Sequence, residues 1–257
     1  MRISKNKFLQ LKKYFVKKVA KKEEVFIIEG RKGVEEVLQS DYEVQGVYLL
    51  SEYIKDSKYQ KILNLLKEQN IDWATLYDRD AEQLSALTSS PGILAVVKRK
   101  NEMPDLQGPI LVLDRINNPG NLGTILRTAL WFGIKNIILS EGSVSKYNAK
   151  VVRSSMGAFF HLNIIENVYL PKFLLKQKES GYVVLAADVN KSSVKLSELK
   201  KAIQEKTIYL FGNESHGLAE NLEEFIDDFY MIKKIGKGES LNLAVSVGVV
   251  LSQLYLE

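Results

Sequence analysis

The chain contains no cysteine and only two histidines among its 257 residues. Without cysteine there can be no disulfide bond, no zinc–thiolate site and no thiol nucleophile. Two histidines are too few for a histidine-rich metal centre. The composition therefore predicts a protein without a bound metal, and it suits a reducing compartment.

Long apolar runs are also missing. No stretch approaches the roughly 18 uninterrupted apolar residues of a transmembrane helix. The N-terminal sequence MRISKNKFLQLKK lacks the apolar core of a signal peptide. These two absences predict a cytoplasmic protein that does not associate with a membrane.

Positive charge exceeds negative charge, with 36 Lys and Arg against 31 Asp and Glu, a net charge of +5. This excess mildly favours a polyanionic partner. Lysines are frequent in residues 4–22, where Phe8, Leu11, Phe15 and Val19 recur at helical spacing. The pattern predicts one basic amphipathic helix, which serves either as a solvated surface or as a contact for a polyanion.

A polar segment divides the chain. Residues 98–108, KRKNEMPDLQG, contain Pro and Gly and show no periodicity, as is typical of a linker. We expect one domain over about 1–100 and a second over about 105–257. Alternating strand and helix patterns before the linker predict a small α/β domain with a parallel or mixed sheet, in which Asp80 caps a helix.

The second domain also alternates apolar strands with helices. Residues 121–132 form an amphipathic pattern, and Ser240 is expected to cap a final helix that extends to residue 257. That last segment is apolar almost all round. Such a helix is buried in a core or in an oligomer interface.

Three glycine-rich turns follow strands of the second domain: NNPGNLGTILR after ILVLD, FGNESHGL after TIYL, and IGKGESLN after FYMI. Open α/β sheets bind ligands at the carboxyl ends of their strands, and glycine lets the main chain approach a ligand closely. None of the turns matches a Walker A loop, a dinucleotide-binding fingerprint or a G-x-S-x-G nucleophile elbow. Together they predict a pocket lined largely by backbone.

The three turns, in this order and spacing, resemble motifs 1, 2 and 3 of the SpoU (TrmH-like) branch of the SPOUT RNA methyltransferases. Residues 118–129 resemble motif 1, residues 212–218 motif 2, and residues 232–242 motif 3. Upstream, FIIEGRKGVEEVL and SSPGILAVVK resemble the substrate-binding domain of the members that act on ribosomal RNA. The resemblance covers nearly the whole chain.

The resemblance implies a fold and a cofactor. The implied fold is an α/β SPOUT-type Rossmann-like sheet with a C-terminal trefoil knot, preceded by a small L30e-like α/β substrate-binding domain. S-adenosylmethionine would lie bent in the knot, with backbone contacts from Gly212, Ile232 and Leu241. Members of the family work as dimers through the methyltransferase domain, which suits the apolar final helix.

The resemblance also implies methyl transfer to a ribose 2′-OH of RNA. Arg127 matches the catalytic arginine of the family. A guanidinium stays protonated at neutral pH, so gripping a phosphate and stabilising negative charge suits it better than acting as a base, although both roles stay open. Asn121 and Asn242 would orient the ribose or Arg127, Glu214 would hold Arg127 or a partner loop, and Ser240 would cap the last helix or contact RNA.

Further basic residues are candidate contacts for RNA. Arg153, in VVRSSMGA, is a contact for RNA or for a partner subunit. With Lys12, Lys13 and Lys17 it would form a basic track for phosphates, whose binding weakens with salt.

Motif 3 departs from the family pattern in one place. Relatives commonly read Ile-Pro-Met, whereas this chain has Ile232, Lys233 and Lys234. The rigid φ of proline is lost, and two cations stand near the pocket. We expect cofactor binding to be retained, because those contacts are mainly through the backbone, and the loop to be more mobile.

Three alternatives remain at this point. Transfer RNA is the alternative substrate to ribosomal RNA. Only the resemblance of the N-terminal domain favours ribosomal RNA over transfer RNA. A non-catalytic RNA-binding or ribosome assembly factor would keep the fold without methyl transfer. A dehydrogenase on an ordinary Rossmann sheet would need an acidic partner for the ribose, and none stands at the required spacing.

Overall fold

A computed structural model gives the fold and describes residues 2–100, 104–187, 194–195, 206–237 and 240–255. The chain divides into two compact units, residues 1–102 and 103–257. Residues 101–103 of the expected linker, residues 238–239 of motif 3 and residues 256–257 of the predicted last helix lie outside the described residues.

The first unit packs helices on both faces of a four-stranded sheet. The sheet order is β1-β4-β2-β3, with β4 antiparallel to β1 and β2, and β3 parallel to β2. Its elements in chain order are α1 Lys5–Tyr14, α2 Lys17–Lys22, β1 Val25–Glu29, α3 Arg31–Leu38, β2 Val44–Leu50, α4 Gln60–Glu68, β3 Trp73–Leu76, α5 Asp78–Gln83 and β4 Ile93–Lys98. Short 3₁₀ helices at Ser51–Ile54 and Ser57–Tyr59 precede α4.

The basic N-terminal segment is two helices, so the prediction of one continuous helix over 4–22 is wrong. Ser4 caps α1, and the extended backbone of Val16 separates α1 from α2. A straight helix of that length would extend for about 28 Å. The break lets Leu11 of α1 and Ala20 of α2 pack into the same apolar cluster of this unit.

Helix α5 begins two residues before the predicted cap. Tyr77 occupies the N-cap position without a side-chain hydrogen bond, and Asp80 lies within the first turn of the helix. The prediction that Asp80 caps this helix is therefore wrong. Its carboxylate still lies near the positive end of the helix dipole.

The second unit is built on a seven-stranded sheet in which every recorded strand pair is parallel. Its elements in chain order are β5 Ile110–Leu113, α6 Pro119–Trp131, β6 Asn136–Ser140, α7 Ala149–Ser154, β7 Asn163–Val168, α8 Leu170–Glu179, β8 Val183–Ala187, β9 Val194–Lys195, β10 Thr207–Phe211, β11 Asp228–Met231 and α9 Leu243–Tyr255. Short 3₁₀ helices lie at Ala158–His161 and Glu220–Phe225. No helix in the described ranges is long and apolar enough to span a membrane.

Strand order explains why distant turns meet. The order is β7-β6-β5-β10-β8-β11-β9, so β5 and β10 are neighbours although about a hundred residues separate them along the chain. Because the two strands are parallel, the turn after β5 and the turn after β10 leave the same edge of the sheet. The central strands are buried on both faces, with Ile208 and Leu210 in a core cluster that includes Leu174 of α8.

The opposite face of the sheet is covered by the C-terminal helix. Tyr209 of β10 is fully buried, and its ring meets the ring of Tyr255 of α9 edge to face, 6.3 Å between centroids. Helix α9 also packs along α6. The last helix therefore runs beside the helix that carries motif 1.

Candidate active site

The first turn is fixed by a side-chain cap. Asn118 Oδ1 accepts hydrogen bonds from the backbone N–H groups of Gly120, at 2.9 Å, and Asn121, at 3.3 Å. Pro119 occupies the first helical position, where its fixed φ suits the helix and no N–H is needed. The side chain of Asn121 is thereby placed on the first turn of α6.

Gly123 of motif 1 has a packing role. A Cβ at this position would lie 1.9 Å from Ser154 Oγ and 2.8 Å from the backbone oxygen of Val151. Only glycine lets α6 and α7 approach this closely. The contact also sets α7, which carries the exposed side chain of Arg153, against motif 1.

The second turn closes on itself. Asn213 and Gly217 exchange two backbone hydrogen bonds of 2.9 Å, and Asn213 Oδ1 accepts from the N–H of Ser215 at 2.9 Å. A Cβ on Gly212 would lie 2.4 Å from the carbonyl carbon of Gly217. Gly212 is therefore required by the turn itself, whatever it contacts in addition.

The three turns meet at one carboxylate. Glu214 Oε1 accepts hydrogen bonds from Asn121 Nδ2, from Asn242 Nδ2 at 3.3 Å and from the N–H of Leu243 at 3.3 Å. Asn242 Nδ2 also lies 3.2 Å from Asn121 Oδ1. Asn121, Glu214 and Asn242, which we call the motif triad, thus bring motifs 1, 2 and 3 into direct contact.

Asn242 also caps the last helix. Its Oδ1 accepts from the N–H groups of Ala244, at 3.0 Å, and Val245, at 3.4 Å. The prediction that Ser240 caps this helix is wrong, because the helix begins at Leu243 and Ser240 lies two residues before the cap. The carboxylate of Glu214 lies at the same helix end, where the helix dipole favours negative charge.

Arg127 lies apart from the motif triad. It is exposed on α6, six residues and therefore about 9 Å along the helix axis from Asn121. Among the described residues it has no recorded hydrogen bond or ion pair. The hypothesis that Glu214 holds Arg127 is not what the structure shows, since Glu214 binds Asn121 and Asn242 instead.

The predicted cofactor residues differ in exposure. Ile232 is half-buried after β11, while Leu241 is 50% exposed next to Asn242. Lys233 and Lys234 are both exposed in the loop between them. The loop therefore leaves both cations and part of its apolar surface accessible.

The predicted RNA-contacting side chains lie on helices and are exposed. Lys12 and Lys13 lie on α1 and Lys17 begins α2, whereas Arg153 is in the last turn of α7. Lys12 Nζ lies 3.2 Å from Gln83 Oε1. No group of three or more His, Cys, Asp or Glu side chains in the described part could hold a metal ion.

Two residues at the same edge escaped sequence reasoning. Asp114 and Arg115 follow β5 directly, and Asp114 is buried to 3% exposure. Their side chains form an ion pair, with Arg115 Nη2 at 3.0 Å from Asp114 Oδ2. The sequence signal that could have indicated them is a pair of charged residues at the carboxyl end of a buried strand, because ligands bind at that edge of an open α/β sheet.

Two family models match the chain. The SpoU rRNA Methylase family matches residues 108–252, which is more than half of the chain. The chain belongs to the SpoU rRNA methylase family. A second model, described as RNA 2′-O ribose methyltransferase substrate binding, matches residues 27–103. The predicted family and the predicted class, an RNA ribose 2′-O-methyltransferase, are confirmed.

Curated relatives of this SpoU-family chain cover nearly its whole length. It is 28% identical over 245 residues to the 23S rRNA (guanosine(2553)-2′-O)-methyltransferase RlmP of Bacillus subtilis, covering 95% of this chain and 93% of the relative. A TrmH-family protein of Staphylococcus haemolyticus is 24% identical over 245 residues, covering 90% of this chain and 96% of the relative.

Solved structures of similar chains share the fold. A TrmH-family protein from Porphyromonas gingivalis superposes with a TM-score of 0.83 and 26% identity, over 99% of this chain and 98% of that one. An S-adenosylmethionine-bound rRNA methyltransferase from Sinorhizobium meliloti gives 0.81 with 21% identity, over 99% and 97%. At that identity the second likeness shows the fold alone.

Proposed function

We propose that this protein transfers the methyl group of S-adenosylmethionine to a ribose 2′-OH in RNA, and that its substrate is ribosomal RNA. The observation that carries the proposal is the motif triad, in which the three turns of the SpoU motifs meet at Glu214 Oε1. The match of residues 27–103 to a substrate-binding model and the likeness to RlmP support the RNA assignment. Transfer RNA is the alternative substrate.

The reaction is an in-line displacement that the residues of the site align. The bound cofactor supplies an electrophilic methyl group on a sulfonium sulfur. The 2′-oxygen would bond to that methyl carbon as the carbon–sulfur bond on the opposite side breaks, and the hydroxyl proton would be lost to solvent. Asn121 and Asn242, held by Glu214, position the turns around the acceptor ribose. Arg127 is exposed and has no hydrogen bond or ion pair to another described residue. It binds the adjacent RNA phosphate bidentately and stabilises the negative charge that develops on the 2′-oxygen.

Turns 2 and 3, which follow β10 and β11, would hold the cofactor. Gly212, Ile232 and Leu241 would contact it mainly through their backbone groups. The fit rests on the exposed surface of turn 3, where Ile235 is 91% and Leu241 50% exposed, so apolar contact area is available for an adenine ring. The same proposal includes a trefoil knot formed by motifs 2 and 3, into which α9 would be tucked after its cap, Asn242.

The protein works as a homodimer through its methyltransferase domain. Helices α6 and α9 pack together and leave Trp131 83%, Val245 50% and Tyr255 36% exposed. Large apolar side chains exposed on neighbouring elements are typical of an interface. A second copy of the same surface would cover them.

The first unit and Arg153 bind the RNA. The exposed lysines Lys12, Lys13 and Lys17 contact phosphates, and Arg153 contacts RNA or the partner subunit. An enzyme that modifies ribosomal RNA would act in the cytoplasm.

Substitution of Arg127 tests the proposal. The Arg127→Ala variant is expected to lower the rate of methyl transfer to RNA at least about a hundredfold, as loss of one charge-stabilising group does. Binding of S-adenosylmethionine, measured by calorimetry, should be unchanged. Lys176→Ala is the control and should leave the rate unchanged, because Lys176 is also an exposed cation of the second unit but lies on α8.

Two results would contradict the proposal. Undiminished transfer by Arg127→Ala would remove Arg127 from the mechanism. Absence of both transfer and cofactor binding in the unsubstituted protein would indicate a non-catalytic RNA-binding member of the family.

A further inference from the structure

Arg115 has an unusual backbone conformation for its residue type. It follows β5 with φ of +52°, in the left-handed region that side chains other than glycine seldom adopt. Such a conformation persists only where the surrounding structure imposes it, and it occurs preferentially at functional sites. Arg115 is therefore held in place by its neighbours.

The main chain of Arg115 is bound on both sides. Its N–H donates to Ser140 Oγ at 2.6 Å, at the end of β6. Its carbonyl oxygen accepts from Asn213 Nδ2 at 2.7 Å, at the beginning of turn 2. The residue thus connects the carboxyl end of β6 to the beginning of the turn that carries Glu214.

The side chain of Arg115 reaches the other end of the same turn. Its guanidinium pairs with Asp114 Oδ2 at 3.0 Å, and its Nη2 lies 3.4 Å from the carbonyl oxygen of Gly217. Asp114 Oδ2 also accepts from the N–H of Ala219 at 3.1 Å. The Asp114 side chain is only 4% exposed, whereas that of Arg115 is 40% exposed, so solvent screens the guanidinium contacts in part while the carboxylate stays buried.

These contacts form a clamp around Glu214. Asn213 and Gly217 are the two ends of turn 2, and both are bound by Arg115 while Glu214 lies between them. Glu214 Oε1 in turn holds Asn121 and Asn242 of the other two motifs. A shift of turn 2 would therefore move the common acceptor of the motif triad.

We propose that Arg115 is a positioning residue for methyl transfer, which acts through turn 2 to keep Glu214 in register with Asn121 and Asn242. The proposal rests on the proposed function. A glycine would adopt the same φ without strain, so the presence of arginine is explained by the contacts of its guanidinium. Arg115 is not required to touch the RNA or the cofactor.

Two substitutions separate the guanidinium from the backbone conformation. Arg115→Gly permits the positive φ but removes the contacts to Asp114 and Gly217. Misplacement of a site by about an ångström costs roughly a hundredfold in rate, so kcat should fall at least about tenfold with a KM for RNA within about threefold. Arg115→Lys keeps an ion pair with Asp114 without the forked contact, and kcat should be intermediate.

The control is an ion pair at the opposite edge of the same sheet. Lys178 Nζ lies 2.5 Å from Asp227 Oδ1, and Asp227 also binds the N–H of Val184 near the start of β8. Lys178→Ala should leave kcat unchanged. Hydrogen exchange of the Asn213 and Gly217 amides should accelerate in Arg115→Gly and stay unchanged in Lys178→Ala.

The outcomes are distinct. A wild-type kcat in Arg115→Gly, or an equal loss in Lys178→Ala, overturns the positioning role while the unsubstituted enzyme stays active. Inactivity of the unsubstituted protein on RNA would instead contradict the proposed function. A graded loss from Arg115→Lys to Arg115→Gly, with faster exchange confined to turn 2, supports the clamp.

Discussion

Glu214 concentrates three donors on a single carboxylate oxygen, and this shapes the role of each partner. Hydrogen bonds to a charged acceptor are about twice as strong as neutral ones. Asn121 and Asn242 are therefore oriented by Glu214, whereas Arg127 has no hydrogen bond or ion pair to another described residue. In the proposed mechanism, this arrangement separates the residues that align the site from Arg127, which stabilises charge.

Tyr230 gives a prediction about stability at the scale of one residue. Its side chain is fully buried, and its hydroxyl has no hydrogen-bond partner among the described residues. Leaving a buried polar group unpaired costs about 1–3 kcal/mol. Tyr230→Phe should therefore leave the free energy of unfolding, measured by urea denaturation, unchanged or higher. Loss of more than about 1 kcal/mol would show that the hydroxyl has a partner.

The same tyrosine gives a pH dependence. Burial raises the pKa of Tyr230 above its ordinary value of 10.0, so the folded protein holds its phenol proton more tightly than the unfolded chain. The stability that the protonated phenol contributes is therefore fully present below pH 10. It is lost as pH rises above 10, because the unfolded chain then releases the proton more readily than the folded protein. The stability of Tyr230→Phe should fall less steeply above pH 10 than that of the unsubstituted protein.

At the scale of the element, the beginning of α9 gives a prediction about helix capping. Asn242 caps the helix, whereas Ser240 lies outside it. Asn242→Ala should lower the free energy of unfolding by about 1 kcal/mol or more, because it removes a cap and a partner of Glu214. Ser240→Ala should change it by less than about 0.5 kcal/mol. Equal losses in urea denaturation would contradict the assigned cap.

The two basic helices, α1 and α2, give a prediction about RNA binding. If Lys12, Lys13 and Lys17 contact phosphates, each substitution by Ala should weaken RNA binding and lower the slope of log affinity against log salt by about one. Filter binding at several salt concentrations measures this slope. Lys61→Ala is the matched control, since Lys61 is an exposed lysine on α4 that pairs with Glu35. A slope that stays constant in the lysine variants would show that α1 and α2 do not bind RNA.

Most elements could be predicted from the sequence, and the failures have local causes. The buried strands of the second unit are short apolar runs between turns, which is a strong signal. The interruption between α1 and α2 was not predicted because the apolar spacing continues through Phe15 and Val19, whereas the packing of Leu11 and Ala20 decides where the helix is interrupted. Strand β7 escaped because Asn163 and Glu166 interrupt its apolar pattern.

At the scale of the whole molecule, the exposed surface of α6 and α9 predicts the oligomeric state. Trp131→Glu should convert the proposed dimer into a monomer in sedimentation equilibrium, because it places a charge where the proposed interface needs apolar contacts. Leu175→Glu is the control, since Leu175 is 51% exposed on α8 rather than on this surface. A dimeric Trp131→Glu variant, or a monomeric unsubstituted protein, would contradict the proposed interface.

Assembly of the site depends on strand order, which the sequence pattern does not contain. Turns 1 and 2 meet because β10 lies beside β5, although β6, β7, β8 and β9 intervene along the chain. The residue patterns predict that ligand groups gather at the carboxyl ends of the strands. They do not predict that Glu214 binds Asn121 and Asn242, or that Arg115 clamps its turn. The family resemblance predicted the three motifs, and the structure shows how they connect.

The most direct test of the central claim is a map of ribose 2′-O-methylation in total RNA from cells with and without the gene. We predict that one methylated ribose in ribosomal RNA disappears without the gene and returns with the unsubstituted protein but not with Arg127→Ala. Identical maps, or restoration of the methyl group by Arg127→Ala, would contradict the account.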